Sequence, residues 1–209
     1  MNPWRRMLVT AVVAAVSSLA AFAALAADPP KIGDPAPAFT AVDSEGKTRS
    51  LSEFKGRYVV LEWHNQSCPF VKKHYDTGNM QRLQKELTDK GVVWLSVISS
   101  APGKQGYVTP EDERLFLFIT HASPTAVLFD SDGKVGHLYG AKTTPHMFLI
   151  DNKGILVYSG AIDDHPTSDP ADVAKSKNYI RTAYEELVAG KPVTTSSTAP
   201  YGCSVKYQE

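Results

Sequence analysis

Two cysteines, Cys68 and Cys203, are the residues of this chain best suited to covalent chemistry. Cys68 directly precedes Pro69 in the segment Trp63–Val71, which follows the apolar run Tyr58–Glu62, so it is placed at a predicted strand-to-helix turn. Free helical N–H groups and the positive end of the helix dipole stabilise a thiolate at such a turn. Cys68 is therefore the first candidate for a nucleophile.

Cys203 lies in the closing segment Pro200–Tyr207, far along the chain from Cys68. Two cysteines do not make the dense disulfide framework of small secreted domains. Three states remain open: a catalytic or reversible pairing of the two, which we favour, a structural disulfide, or two unpaired thiols.

The N-terminal sequence indicates export. Arg5 and Arg6 precede an apolar stretch from Met7 to Leu25, and the small residues before Ala27 are typical of a signal-peptidase site. We predict a signal peptide over residues 1–26 and a periplasmic or secreted mature protein, with a retained membrane anchor as the alternative.

The remainder predicts one domain over residues 27–193 and a tail over residues 194–209 that carries Cys203. The chain contains 22 basic and 22 acidic side chains. This balance offers no basis for nucleic acid or an anionic membrane as a partner. After cleavage we expect no stable membrane insertion.

Strands alternate with helices in the predicted element order, which indicates a mixed sheet with helices on both faces. Tyr58–Trp63 is expected to be a central strand, and the turn around Ser44–Gly46 is expected to close a small N-terminal hairpin. Ala171–Ala189 carries apolar residues at helical spacing and predicts one long helix.

The chain resembles the thioredoxin-like superfamily, in the peroxiredoxin-related branch of alkyl hydroperoxide reductases and thiol-specific antioxidants. The matching segments occur in the order of that family: Ile32–Phe39, Leu51–Gly56, the strand into Trp63 with Cys68-Pro69, Thr143-Thr144-Pro145 and Asp151–Gly154. The resemblance implies a thioredoxin-like fold, redox chemistry at Cys68 and no cofactor.

The resemblance also implies that Pro145 is a cis-proline facing Cys68. The backbone of Thr144 would then be available to pair with an extended substrate. Trp63 and Phe70, which flank Cys68 in the sequence, are expected to form an apolar wall that limits water; ordinary core packing is the alternative.

Three departures from the family pattern bear on mechanism. Val71 stands where thioredoxins carry the second cysteine of Cys-x-x-Cys, so Cys68 cannot be resolved within its own motif. Asn65 stands where peroxiredoxins place Thr or Ser, and no arginine lies between Arg114 and Arg181. These differences weigh against peroxide activation by the usual residues.

Other polar residues have weaker signals. The side chains that could join the cysteines as metal ligands are His64, His74 and His146. Their spacing is not that of a dedicated motif, so no metal is predicted. We expect them instead to polarise the thiolate or to be ordinary polar residues in contact with solvent. Asp163 and Asp164 could act as acid and base; we expect them instead to end a strand in solvent.

Three functions from different classes follow. The leading one is an exported thiol–disulfide oxidoreductase with Cys68 as nucleophile and Cys203 as resolving cysteine. Its substrate would be a protein or small-molecule disulfide, and an external thiol would be its reductant. The second is a thiol peroxidase that reduces hydroperoxides through a sulfenic acid on Cys68. The third is a non-enzymatic module that binds a metal or a partner.

Overall fold

The computed structural model describes residues 28–208. The predicted signal peptide lies outside the described residues. The helices and strands are β1 Thr40–Asp43, β2 Thr48–Ser50, β3 Val59–Trp63, α1 Pro69–Asp76, α2 Asn79–Asp89, β4 Val93–Ile98, α3 Pro110–Thr120, β5 Ala126–Phe129, α4 Lys134–Tyr139, β6 Thr143–Thr144, β7 His146–Ile150, β8 Leu156–Gly160, α5 Tyr179–Val188 and β9 Cys203–Ser204, with 3-10 turns at Leu51–Phe54 and Pro170–Lys175.

Seven strands form one mixed sheet in the order β2-β1-β5-β4-β3-β7-β8. The central strands β3, β4 and β5 are parallel, whereas β7 and β8 extend the sheet antiparallel at one edge. The hairpin β1–β2 extends the other edge through antiparallel pairing of β1 with β5. The predicted mixed sheet and N-terminal hairpin are confirmed.

Helices cover both faces of the sheet, because its central strands are apolar on both sides. On one face, α1, α2 and α5 pack on a core that includes Val60 of β3. On the other, α4 packs on a core that includes Leu61 and Trp63 of the same strand. Every residue of β3 is buried. The strand that leads to Cys68 is thus held in place from both sides.

Two predicted elements differ from the structure. The long helix over Ala171–Ala189 is wrong: a 3-10 turn ends at Lys175, and α5 begins only after Asn178, whose side chain accepts a hydrogen bond from the Arg181 N–H. Asn178 is a helix N-cap, which starts a new helix where periodicity alone suggests continuity. Helix α4 went unpredicted since its six residues are too few for a periodic signal.

The tail returns across the domain after α5. The Thr198 N–H donates to the Ser159 carbonyl of β8 at 3.2 Å, and the Thr198 hydroxyl accepts from the N–H of Ala161, directly after β8, at 2.9 Å. Further on, β9 pairs antiparallel with β6 in a separate two-stranded sheet, and the Val205 N–H donates to the Lys142 carbonyl. Within residues 28–208, no helix has both the length and the apolar character needed to cross a membrane.

Candidate active site

Cys68 lies at the N-terminus of α1, as the strand-to-helix turn predicts. It is the N-cap residue, with Pro69 in the first turn, and its side chain is fully buried. Proline suits this position because its missing N–H would have no partner inside the helix. The next helical N–H groups, including that of Val71, face the thiol and can stabilise a thiolate.

The loop before β7 contacts this thiol. The Thr144–Pro145 peptide bond is cis, as the resemblance implies. The Cys68 thiol donates to the Thr144 carbonyl oxygen at a Sγ–O distance of 3.1 Å. The structure therefore brings Thr144 and its proline to the predicted nucleophile.

The tail brings Cys203 to the same place. In the β6–β9 pair, Cys203 lies opposite Thr144, whose carbonyl accepts the hydrogen bond from Cys68, so each cysteine shifts the pKa of the other. Gly202 crosses so close to the loop, at a φ of 134°, that a Cβ atom there would collide with the Thr144 carbonyl. The close approach of the strand thus depends on glycine at this position.

The two thiols differ in acidity. Burial alone would raise the pKa of Cys68, but the neighbouring Cys203 thiol and the helical N–H of Val71 lower it below its ordinary value. Burial and the neighbouring Cys68 raise the pKa of Cys203 to about 12. Cys68 is therefore the thiol suited to carry the negative charge.

Polar side chains beside α1 anchor the tail. Tyr201 donates a hydrogen bond to Asp163 and accepts one from the buried Lys73 ammonium at 3.2 Å. The His74 Nε2 lies 3.8 Å from the same carboxylate. We call Lys73, His74, Asp163 and Tyr201 the Asp163 cluster. The expectation that Asp163 ends a strand in solvent is wrong, because the carboxylate is buried to meet these groups.

The two residues predicted to form an apolar wall beside Cys68, Trp63 and Phe70, do not lie together. Phe70 packs edge-on against Tyr201 with ring centroids 5.9 Å apart, so it contacts the tail beside the thiol. Trp63 instead packs in the core of the opposite sheet face, where its indole N–H donates to Ser99. Successive strand residues point to opposite faces, which is why Trp63 turns away from the face that holds Cys68.

The three candidate histidines also separate. His146 accepts from the Lys142 N–H, and burial lowers its pKa to about 3. His74 belongs to the Asp163 cluster, and burial lowers its pKa to about 4. His64 belongs to a different group of buried side chains. Among residues 28–208, no three histidine, cysteine, aspartate or glutamate side chains gather as a metal site would require.

The family follows from a direct match. The family model described as "AhpC/TSA family" matches residues 32–159, more than half of the chain. The chain belongs to the AhpC/TSA family. The match begins before β1, ends within β8 and includes Cys68 and Pro145. The tail with Cys203 lies beyond it.

Relatives of this AhpC/TSA protein include thiol–disulfide oxidoreductases. It is 29% identical to the thiol-disulfide oxidoreductase ResA of Bacillus thuringiensis over 129 residues, 61% of this chain and 68% of that protein. A solved structure described as the thiol:disulfide interchange protein DsbE of Chlorobium tepidum matches with a TM-score of 0.53 and 26% identity, over 76% of this chain and 96% of that one.

A further solved structure covers more of the molecule. An uncharacterised conserved protein of Geobacillus kaustophilus matches with a TM-score of 0.74 and 26% identity, over 85% of this chain and 93% of that one. The AhpC/TSA protein has a thioredoxin-like fold, as its mixed sheet between two layers of helices and its match to the DsbE structure show.

A second set of buried polar side chains, not predicted from the sequence, surrounds Glu62. Glu62 of β3 accepts hydrogen bonds from Tyr75 at 2.9 Å, Trp94 at 2.8 Å and Ser96 at 3.0 Å. We define the Glu62 cluster as the following side chains: Glu62, His64, Tyr75, Gln84, Trp94, Ser96 and Glu113. A signal was available, since a glutamate inside an otherwise apolar central strand must find buried donors.

Proposed function

We propose that this AhpC/TSA protein is an exported thiol–disulfide oxidoreductase in which Cys68 is the nucleophile and Cys203 is the resolving cysteine. The observation that carries the proposal is the placement of both cysteines at Thr144: Cys68, at a helix N-terminus, donates to the Thr144 carbonyl, and Cys203 pairs with Thr144 across the β6–β9 ladder. The thiol–disulfide oxidoreductases among its relatives support the reaction class, and the N-terminal sequence supports export.

The first step forms a mixed disulfide. The Cys68 thiolate attacks one sulfur of a protein or small-molecule disulfide, forms a bond to it and expels the other sulfur as a thiolate. The helix N-terminus favours this step because it stabilises the attacking thiolate. Since Cys68 is fully buried, the tail must move aside for a protein substrate.

The second step forms an internal disulfide. Cys203 loses its proton and attacks the Cys68 sulfur, and the substrate sulfur leaves as a thiolate. Part of the raised pKa of Cys203 comes from burial and part from its charged neighbour Cys68. Formation of the mixed disulfide removes the negative charge on Cys68, which lowers the pKa of Cys203. Cys203 is therefore a better nucleophile after the first step than before it.

An external thiol completes the cycle. One reductant thiolate attacks the Cys68–Cys203 disulfide and forms a mixed disulfide, and a second thiolate releases it, which returns both cysteines to the thiol state. The reductant is oxidised to its disulfide. Atoms and electrons balance with two external thiols for each disulfide reduced.

The test is a thiol count on the mature protein after treatment with glutathione disulfide. We expect wild type to lose two thiols and yield a cross-linked Cys68–Cys203 peptide. Cys203→Ser should accumulate glutathione on Cys68, and Cys68→Ser should react several-fold more slowly, because burial still raises the pKa of Cys203 after the charge on Cys68 is removed. No cross-link in oxidised protein, or faster reaction at Cys203 than at Cys68, would contradict the proposal.

The same preparation tests the peroxidase alternative. Hydrogen peroxide in place of the disulfide would convert Cys68 to a sulfenic acid, which condenses with Cys203. Asn65 does not supply the hydroxyl of the usual peroxide site; its side chain accepts from the Ser67 N–H and bonds to Gln105. Faster oxidation by peroxide than by glutathione disulfide would favour the alternative.

A further inference from the structure

Tyr201 joins the tail to α1 through both its hydroxyl and its ring. The hydroxyl donates to the Asp163 carboxylate and accepts from the Lys73 ammonium at 3.2 Å. The ring packs edge-on against Phe70, and the Lys73 ammonium lies 5.1 Å from the ring centroid. Phe70 and Lys73 both belong to α1, whose N-cap is Cys68. Tyr201 therefore fixes the tail to the helix that carries the nucleophile.

The charged groups that receive Tyr201 are buried and of opposite sign. The Lys73 ammonium donates to the His165 carbonyl at 2.8 Å and lies 3.8 Å from the Asp163 carboxylate. Separating a buried ion pair is unfavourable, because each charge then lacks a partner. Burial and the neighbouring Asp163 raise the pKa of Tyr201, so its hydroxyl keeps its proton and can donate. The partners of this hydroxyl thus belong to the domain, and they can pair with one another when the tail is away.

Cys203 lies on the short strand that follows Tyr201. It pairs with Thr144 across the β6–β9 ladder, and the carbonyl of Thr144 accepts the hydrogen bond from Cys68. Strand β9 has only two residues, and so short a pairing is marginally stable by itself. Its position therefore depends on the contacts that flank it, and Tyr201 supplies one of them two residues before Cys203.

The proposed reaction requires the tail to leave and return. Cys68 is fully buried, so a substrate group on its sulfur must displace the tail. The second step then needs Cys203 to come back while that group is still attached. The rate of an intramolecular step depends on how often the two reacting groups are correctly placed. Contacts that bring the tail back therefore accelerate the second step without taking part in its chemistry.

We propose that Tyr201 is a positioning residue for the second step: by binding the rest of the Asp163 cluster, it returns Cys203 to the mixed disulfide on Cys68. The inference rests on the proposed function. In this step the Cys203 thiolate forms a bond to the Cys68 sulfur, the bond from Cys68 to the substrate sulfur breaks, and the substrate leaves as a thiolate. The same contact keeps the tail over Cys68 before the reaction. Weakening it should therefore change the rates of the two steps in opposite directions.

The test separates the two steps with dithiobis(nitrobenzoate), a symmetrical aromatic disulfide whose halves absorb visible light when they are released as thiolates. The reagent is added in substoichiometric amount. Attack by Cys68 releases the first half, and attack by Cys203 on the mixed disulfide releases the second. In wild type, the second phase should not depend on protein concentration, because the step is intramolecular. Cys203→Ser should lack this phase, since it has no resolving thiol.

Two variants of Tyr201 grade the effect on the second phase. Tyr201→Phe removes the hydroxyl, and we expect a second phase about fivefold slower and a first phase several-fold faster than in wild type. Tyr201→Ala also removes the ring from Phe70 and should slow the second phase by about a further tenfold. Tyr107→Phe, at an exposed tyrosine, is the matched control and should leave both phases unchanged.

A purely structural role for Tyr201 would lower stability in urea but leave the second phase at the wild-type rate, and this result would overturn the inference. Equal slowing in Tyr107→Phe would overturn it as well. The outcome in wild type distinguishes the two proposals. If wild type lacks the second phase, the proposed function fails and the inference fails with it. If wild type and both Tyr201 variants share the same second phase, the inference alone fails.

Discussion

The Glu62 cluster and the Asp163 cluster both contact α1, yet they shift the pKa values of their histidines in opposite directions. His64 lies between two carboxylates, and its pKa is raised. His74 shares Asp163 with the buried Lys73 ammonium; burial first, and Lys73 as well, lower its pKa to about 4. The number of neighbouring charges of each sign therefore decides the direction in which the pKa of each buried histidine shifts.

The two clusters also differ in what they hold in place. The Glu62 cluster joins β3 and β4 to the helices, so it belongs to the core of the domain. The Asp163 cluster joins α1 to the tail through Tyr201, two residues before Cys203. Changes in the first should alter the stability of the whole domain, whereas changes in the second should also alter access to Cys68.

The largest expected effect is that of Glu62→Gln. The neutral amide would place an N–H₂ group among donors that now share a carboxylate, and it would remove the carboxylate charge that lies 3.6 Å from His64 Nδ1. We expect the free energy of unfolding to fall by about 3–5 kcal/mol.

Urea unfolding measures this change, with Glu185→Gln at an exposed helical position as the control. If Glu62→Gln lowered the free energy of unfolding no more than Glu185→Gln does, the Glu62 cluster would not be a network that stabilises the core of the domain.

A smaller loss of stability is expected when the pH falls and His74 becomes protonated. The folded-state pKa of His74, about 4, lies below the ordinary 6.5. As the pH falls, His74 is therefore protonated in the unfolded chain before it is protonated in the folded protein. The contribution of His74 to stability is present above pH 6.5 and is lost as the pH falls toward 4. Between pH 7 and pH 4.5, wild type should lose about 2 kcal/mol more than His74→Gln.

Urea unfolding of both proteins at the two pH values provides the measurement. The subtraction removes the other titrating groups, because they are the same in both chains. Equal losses would mean that the Asp163 cluster does not keep His74 neutral.

The smallest effect is expected from Tyr201→Phe. The change removes the hydrogen bonds to Asp163 and Lys73 but keeps the ring on Phe70. Stability should fall by about 1 kcal/mol. Because the tail is then held less firmly, iodoacetamide should label Cys68 several-fold faster.

Tyr107→Phe, at an exposed tyrosine, is the matched control and should leave the labelling rate unchanged. Unchanged labelling in Tyr201→Phe as well would show that the Asp163 cluster does not govern access to the thiol.

Local patterns were sufficient for the elements that position Cys68. The apolar run before Trp63 predicted β3, and the Cys68-Pro69 step predicted the start of α1, because both depend on neighbouring residues and on helix-terminus chemistry. The order of the family segments led to the fold and to Pro145 beside the thiol. Helix boundaries that depend on a single capping residue, such as Asn178, were less accessible.

The sequence by itself thus determined the central strand, the cysteine at the helix N-terminus and the fold class. Only the tertiary structure decided that Trp63 faces away from Cys68 and that Asp163 is buried with Tyr201. It also decided that His64 lies between Glu62 and Glu113, which are 51 residues apart in the chain (113 − 62). The physical reason is that burial and charge balance arise from residues that meet only when the sheet, the helices and the tail are packed together.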